Sequence, residues 1–76
     1  AIQFGAFSDR ALALEFLQRY RDAIEDLRID RVRDTRGQFL YKLRAGYYVN
    51  PALARADGLQ IQRRLDLPAF VVDLAD

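Results

Sequence analysis

Two phrases in this chain match one another: Ile2-Gln3-Phe4-Gly5-Ala6-Phe7-Ser8 and Tyr41-Lys42-Leu43-Arg44-Ala45-Gly46-Tyr47-Tyr48. Each alternates like a strand, reaches a glycine and then aromatic residues, and runs into a segment with helical spacing, Asp9 to about Asp26 and Asn50 to about Leu65. A chain made of two such halves is constrained to a small sheet whose two central strands each hand over to a helix. Helices then cover one face of the sheet, and the other face is left for a partner.

The elements follow from spacing. Ile2 and Phe4 fall on one side of the first strand and Gln3 and Gly5 on the other, the period of a half-buried strand. Ser8-Asp9 offers short oxygen-bearing side chains to the orphan N–H groups of the first helical turn. Ala13, Phe16, Leu17, Tyr20 and Ile24 form the apolar stripe of that helix, and Glu15, Gln18, Arg19, Arg21 and Asp22 its solvated side. Leu27 to Arg33 reads as a second strand; the three-residue gap between Ile29 and Val32 predicts a bulge or a late start. Asp34-Thr35-Arg36-Gly37-Gln38 reads as a hairpin turn and Phe39 to Ala45 as the third strand.

In that third strand Tyr41, Leu43 and Ala45 face one way, and Leu40, Lys42 and Arg44 the other. Asn50-Pro51 starts the second helix, with asparagine as cap and proline at the first helical position. Ala54, Gly58, Ile61 and Leu65 continue it, so Gly58 implies either close packing on the sheet or a kink. Leu67-Pro68 ends the helix, and Ala69 to Leu74 gives a last strand. The resulting class is α+β: a βαββαβ, ferredoxin-like, four-stranded antiparallel sheet with two helices on one face.

Composition narrows the chemistry. The 76 residues make one domain, residues 1–76, near the lower size limit for a core without staples. With a hydrophobic fraction of 51% the chain is globular, and a formal net charge of +1 gives no global field to attract nucleic acid or membrane. Histidine, cysteine and methionine are all absent. That excludes a histidine base, a thiol nucleophile and a thiolate or imidazole metal site, and leaves only carboxylates for catalysis. The acids are scattered without a spaced pair, and Gly5 and Gly46 are isolated rather than part of a phosphate loop. The reading is a non-catalytic domain with no cofactor and no metal.

The uncovered face should therefore carry function. It collects Gln3 from the first strand and Lys42 and Arg44 from the third, with Leu40 as an odd apolar neighbour. Taken alone, each polar residue is compatible with a merely wet surface. Together, apolar surface beside cations and an amide is what a sugar or a nucleobase would stack on. Arg28, Arg31, Arg33 and Arg36 add basic groups, but Asp26, Asp30 and Asp34 alternate with them and offset most of their field.

The first phrase resembles the opening signature of SPOR domains (the sporulation-related repeat): hydrophobic, Gln, hydrophobic, Gly, Ser or Ala, Phe, Ser. The second is similar to that family's Tyr-Arg-Val-Arg-Val-Gly-Pro-Phe. Ala54 matches the alanine opening the family's second helix, and Ala69-Phe70-Val71-Val72 its closing strand. The resemblance implies a peptidoglycan-binding module that favours glycan strands stripped of stem peptides. Such domains bring cell-division and wall-remodelling proteins to the septum, and other division proteins are conceivable partners. They are usually periplasmic, and reach the membrane only through segments outside the domain. The chain is accordingly expected to be a piece of a longer envelope protein.

Glycan-contact positions carried over by the resemblance are Gln3, Ala6 and Lys42, with Leu40 where several members have an aromatic. Arg44 and Tyr47 complete the expected ligand-binding set, Arg44 as a hydrogen-bond donor and Tyr47, or else Tyr48, as apolar contact. There are departures. Ala6 lacks the hydroxyl common there, Lys42 replaces an arginine and lacks its planar fork, Tyr47-Tyr48 replaces Pro-Phe, and no tryptophan is present to stack on a sugar. The alternatives are a nucleic-acid-binding module, since RNA-recognition domains share the topology and the open sheet, and a protein-interaction module pairing through sheet edges or faces. Against the first, RNA platforms place aromatics where Leu40, Lys42 and Arg44 stand.

Overall fold

A computed structural model describes residues 1–46 and 50–72. The order is β1 (Ile2–Phe7), α1 (Arg10–Tyr20), β2 (Arg28–Arg33), β3 (Phe39–Ala45), α2 (Pro51–Leu65) and β4 (Phe70–Val71). The strands form one antiparallel sheet in the order β2-β3-β1-β4. The strands of the two matching phrases, β1 and β3, are its central pair, and the arrangement is the expected α+β, ferredoxin-like one. Tyr47, Tyr48, and the end of the expected last strand at Asp73 and Leu74 lie outside the described residues.

One face of the sheet is the core. Ile2, Phe4, Leu43 and Ala45 are buried there against Ala13 and Ile24 of the first half and Ala54 of α2. Phe16, Leu17 and Tyr20 of α1 and Ile61 and Leu65 of α2 pack around them, so both helix stripes meet the same face. Phe16 lies 6.4 Å from Phe4, 6.1 Å from Phe7 and 4.7 Å from Tyr20, ring centre to ring centre. Both starts are capped: the Asp9 side chain accepts from the Ala11 N–H and that of Asn50 from the Ala52 N–H, each at 2.8 Å. Such caps contribute about 1 kcal/mol each.

Three local expectations are corrected. The bulge lies in β1, not β2. Gln3 pairs with Arg44 and Gly5 with the next residue, Leu43, so Phe4 is the extra residue. Phe4 and Phe7 must both reach the core, and their three-residue gap cannot be met by strict alternation; Gly5 consequently shares the face of Leu43 rather than that of Gln3. β2 pairs regularly from Arg28 to Arg33, because Val32 turns to the outer face and meets Leu40 instead of joining Ile29 in the core. Finally, α1 stops at Tyr20 rather than near Asp26. A turn carries the chain on, with the Ala23 and Ile24 N–H groups both donating to the Tyr20 carbonyl, and Asp26 takes a left-handed φ of 58° before β2. Ile24 keeps its place in the core.

The hairpin turn is as expected. The Asp34 carboxylate accepts from the backbone N–H of Arg36 and of Gln38, both at 2.9 Å, and Gly37 takes a φ of 80° that L side chains rarely adopt. Gly58 is the close-packing case: a Cβ there would lie 3.7–3.8 Å from the Ile2 side chain. That is ordinary contact, so alanine fits and removes the helix penalty of glycine. Gly58→Ala is expected to stabilise the domain by about 0.5–1 kcal/mol, read as a higher midpoint in urea, whereas Gly58→Leu should lower it by crowding Ile2.

Candidate functional site

Register fixes what shares the face that the helices do not cover. Residues directly opposite on antiparallel strands point to the same side, so the rows Arg28–Arg44–Gln3–Phe70 and Asp30–Lys42–Ala6, with the pair Val32–Leu40, belong to the outer face. Five of the six expected contact residues, Gln3, Ala6, Leu40, Lys42 and Arg44, are thus brought together on it. Tyr47, the sixth, lies outside the described residues.

Arg44 is not the solvated cation that its alternation suggests. It is 3% exposed, and its guanidinium is the hub of a network across three strands. Nε donates to Gln3 Oε1 on β1 at 3.1 Å, while one Nη lies 3.5 Å from an Asp30 carboxylate oxygen on β2. The other oxygen of Asp30 lies 3.5 Å from Arg28 Nε, and Arg28 donates in turn to the Gly46 carbonyl at 3.3 Å. Gly46 sits just beyond β3 with a φ of 76°, a backbone position that suits glycine. One carboxylate therefore ties two guanidinium groups and closes the end of the sheet where β3 leaves it.

Lys42 differs. It is half-buried between Ala6 and Asp30, and among the described residues its ammonium makes no ion pair. Ala6 is exposed and short, so nothing on β1 rises over the lysine stem. Leu40 and Val32 are half-buried and add an apolar step toward the hairpin.

Sequence reasoning missed Phe70. It is 62% exposed and pairs with Gln3 at the edge of the outer face, so β4 puts an aromatic on the face where β3 has none. Its signal was the strand parity of Ala69 to Val72, which needed the register with β1 to interpret. The charges of β2 are also sorted by face rather than offset along the strand. Arg28 and Asp30 are on the outer side, whereas Arg31 and Arg33 turn to the helix side, with their guanidinium carbons 4.4 and 5.0 Å from the centre of the Phe39 ring.

Among the described residues no cluster of three potential metal ligands occurs. No described helix is long and apolar enough to cross a membrane. The outer face offers hydrogen-bond donors at Gln3 and Lys42 and apolar surface at Leu40, Val32 and Phe70.

The family model of the SPOR domain matches residues 1–73. The chain belongs to the SPOR domain family. No curated protein and no solved structure matches it significantly. SPOR domains are binding domains, generally non-catalytic, known for peptidoglycan binding in bacterial cell division, and they occur in cell-envelope proteins. The SPOR signature glutamine and the second arginine of the SPOR β3 phrase are here bonded to each other.

Because Arg44 is the buried centre of this SPOR outer face, Arg44→Ala leaves both Gln3 and Asp30 without it. Hydrogen bonds to charged groups contribute about 1.5–3 kcal/mol each, and the partial exposure of Asp30 screens its share. Arg44→Ala is expected to lower stability by about 2 kcal/mol in urea denaturation, and Lys42→Ala by less than about 0.5 kcal/mol.

Proposed function

We propose that this domain binds glycan strands of peptidoglycan through the outer sheet face, with preference for strands whose stem peptides have been removed, and so directs its parent protein to the septum or to sites of wall remodelling. The supporting observation is the Lys42 ammonium, which has no ion-pair partner among the described residues on a face that also carries Gln3, Ala6, Leu40 and Phe70. Removing a stem peptide frees the lactyl carboxylate of muramic acid. That anion is matched by an ammonium group, and a charge-assisted bond of this type discriminates strongly against the amide present before cleavage.

Phe70 and Leu40 offer apolar surface for the faces of the sugar rings. Gln3 and Lys42 supply donors, and Ala6 leaves the space between them open. Arg44 contributes through Gln3, its guanidinium being engaged within the sheet. Tyr47 is kept as an apolar contact from the family pattern alone. The domain acts without chemistry of its own, in keeping with the absence of histidine and cysteine from the chain, and any membrane attachment belongs to other segments of the parent protein.

Retention on purified sacculi tests this. Amidase-treated sacculi should hold the domain clearly better than untreated ones, and Lys42→Ala should reduce retention by about tenfold, the loss of one charge-assisted hydrogen bond of about 1.5 kcal/mol, with an unchanged circular dichroism spectrum. Equal and weak retention on both materials would contradict the reading. So would binding to single-stranded RNA that falls steeply with salt, the mark of counterion release from phosphates. Glycan binding should depend on salt only modestly.

A further inference from the structure

We infer that Arg44 acts on the ligand indirectly, by fixing the orientation of the Gln3 side-chain amide, so that this position turns its NH2 group to the glycan and reads a hydrogen-bond acceptor there in preference to a donor. The inference rests on the outer face being the glycan site. It adds a positioning residue and the polarity of the group recognised.

An arginine has N–H donors and no acceptor, so whichever end of the Gln3 amide meets it must be the oxygen. The contact is Nε to Oε1 at 3.1 Å, from a guanidinium that is itself buried and held on its other side by Asp30 at 3.5 Å. Turning the amide over would press its NH2 group against the guanidinium, donor against donor, at a buried position. The oxygen is therefore turned toward β3 with one lone pair engaged by Arg44, and the NH2 group is left for the ligand. No hydrogen bond from that group to a described residue occurs, and Gln3 is only half-buried. Lys42, diagonal to Gln3 across the central pair, is also a donor only.

Gln3 and Lys42 thus both turn N–H groups to the ligand, while the Asp30 carboxylate beside Lys42 faces Arg28 and Arg44. Among the groups on a glycan chain that only accept, the acetamido carbonyls and the lactyl carboxylates are the strong acceptors, the ring, glycosidic and ether oxygens being weak ones, and these two are the chemical class the pair selects. A hydroxyl can satisfy one such donor, but its own proton then finds only the remaining lone pair of a Gln3 oxygen that is turned toward Arg44. Asp30 belongs to the same device at one remove: it holds Arg44 and so fixes the amide without touching the ligand.

The test is Gln3→Glu. A carboxylate in place of the amide keeps an acceptor for Arg44 but turns a second acceptor toward the ligand. The variant should therefore melt at or above the temperature of the unaltered domain and bind a peptide-free glycan oligomer at least tenfold more weakly. In the unaltered domain the Gln3 side-chain NH2 signals in a 15N–1H spectrum should move on titration with that oligomer. In Asp30→Asn, which loosens Arg44 while leaving the ligand-facing groups in place, they should move less, and affinity should fall.

Lys42→Ala separates the two readings. Loss of binding in Lys42→Ala with affinity in Gln3→Glu within about twofold of the unaltered domain overturns the amide assignment and leaves the glycan face standing. Unchanged binding in both overturns the face and the inference with it. Should Gln3→Glu melt well below the unaltered domain, the carboxylate does not take the place of the amide on Arg44, and the positioning role is overturned.

Discussion

The guanidinium of Arg44 lies on the side of the sheet that the helices leave alone, and yet it is almost fully buried. A buried cation is costly unless it is paired and hydrogen-bonded. Here Gln3 on β1 and Asp30 on β2 meet that requirement, so the residue on the central strand joins its neighbours on both sides. Three strands are held in register by side chains as well as by backbone, on the face opposite the hydrophobic core. The other outer-face residues take their places from that register: Lys42 without an ion-pair partner among the described residues, Ala6 leaving space beside it, and Phe70 next to Gln3.

This matters because the core is small. Ile2, Ile24 and Leu43 are the largest fully buried side chains among the described residues, and a domain of this size retains only a few kcal/mol of net stability. The buried apolar side chains lie between the sheet and the two helices. On the opposite face, the polar tie through Arg44 adds side-chain links between β1, β2 and β3. Such a device is specific in geometry rather than strong in energy, since much of the attraction offsets desolvation.

Much of this was legible in the chain. The central pair, the caps at Asp9 and Asn50, the hairpin at Asp34–Gly37 and the two helix stripes follow from spacing and from residue chemistry that acts locally. What was not legible depends on register. Phe4 and Phe7 stand three apart and both face the core, which forces a bulge into β1, whereas the equal gap between Ile29 and Val32 needs none because Val32 faces outward. Alternation places Arg44 on the outer face correctly but is silent about whether water or Asp30 meets its guanidinium. Phe70 is an ordinary strand residue until its pairing with Gln3 is known. That Gln3, Ala6, Leu40, Lys42 and Arg44 share one face was readable, while the bonds that tie Arg44 to Gln3 and Asp30 needed distances.

The glycan is proposed to meet the outer face of the strands, from Lys42 and Gln3 at its middle to Phe70 at its edge. The most direct measurement is a chemical-shift map recorded while a peptide-free glycan oligomer is titrated into the 15N-labelled domain. The account expects the largest changes along Gln3 to Ala6, Leu40 to Arg44 and at Phe70, with α1 and α2 nearly unmoved. Changes concentrated on the helices, or on the Arg31–Arg33–Phe39 side of the hairpin, with Gln3 and Lys42 unmoved, would contradict it.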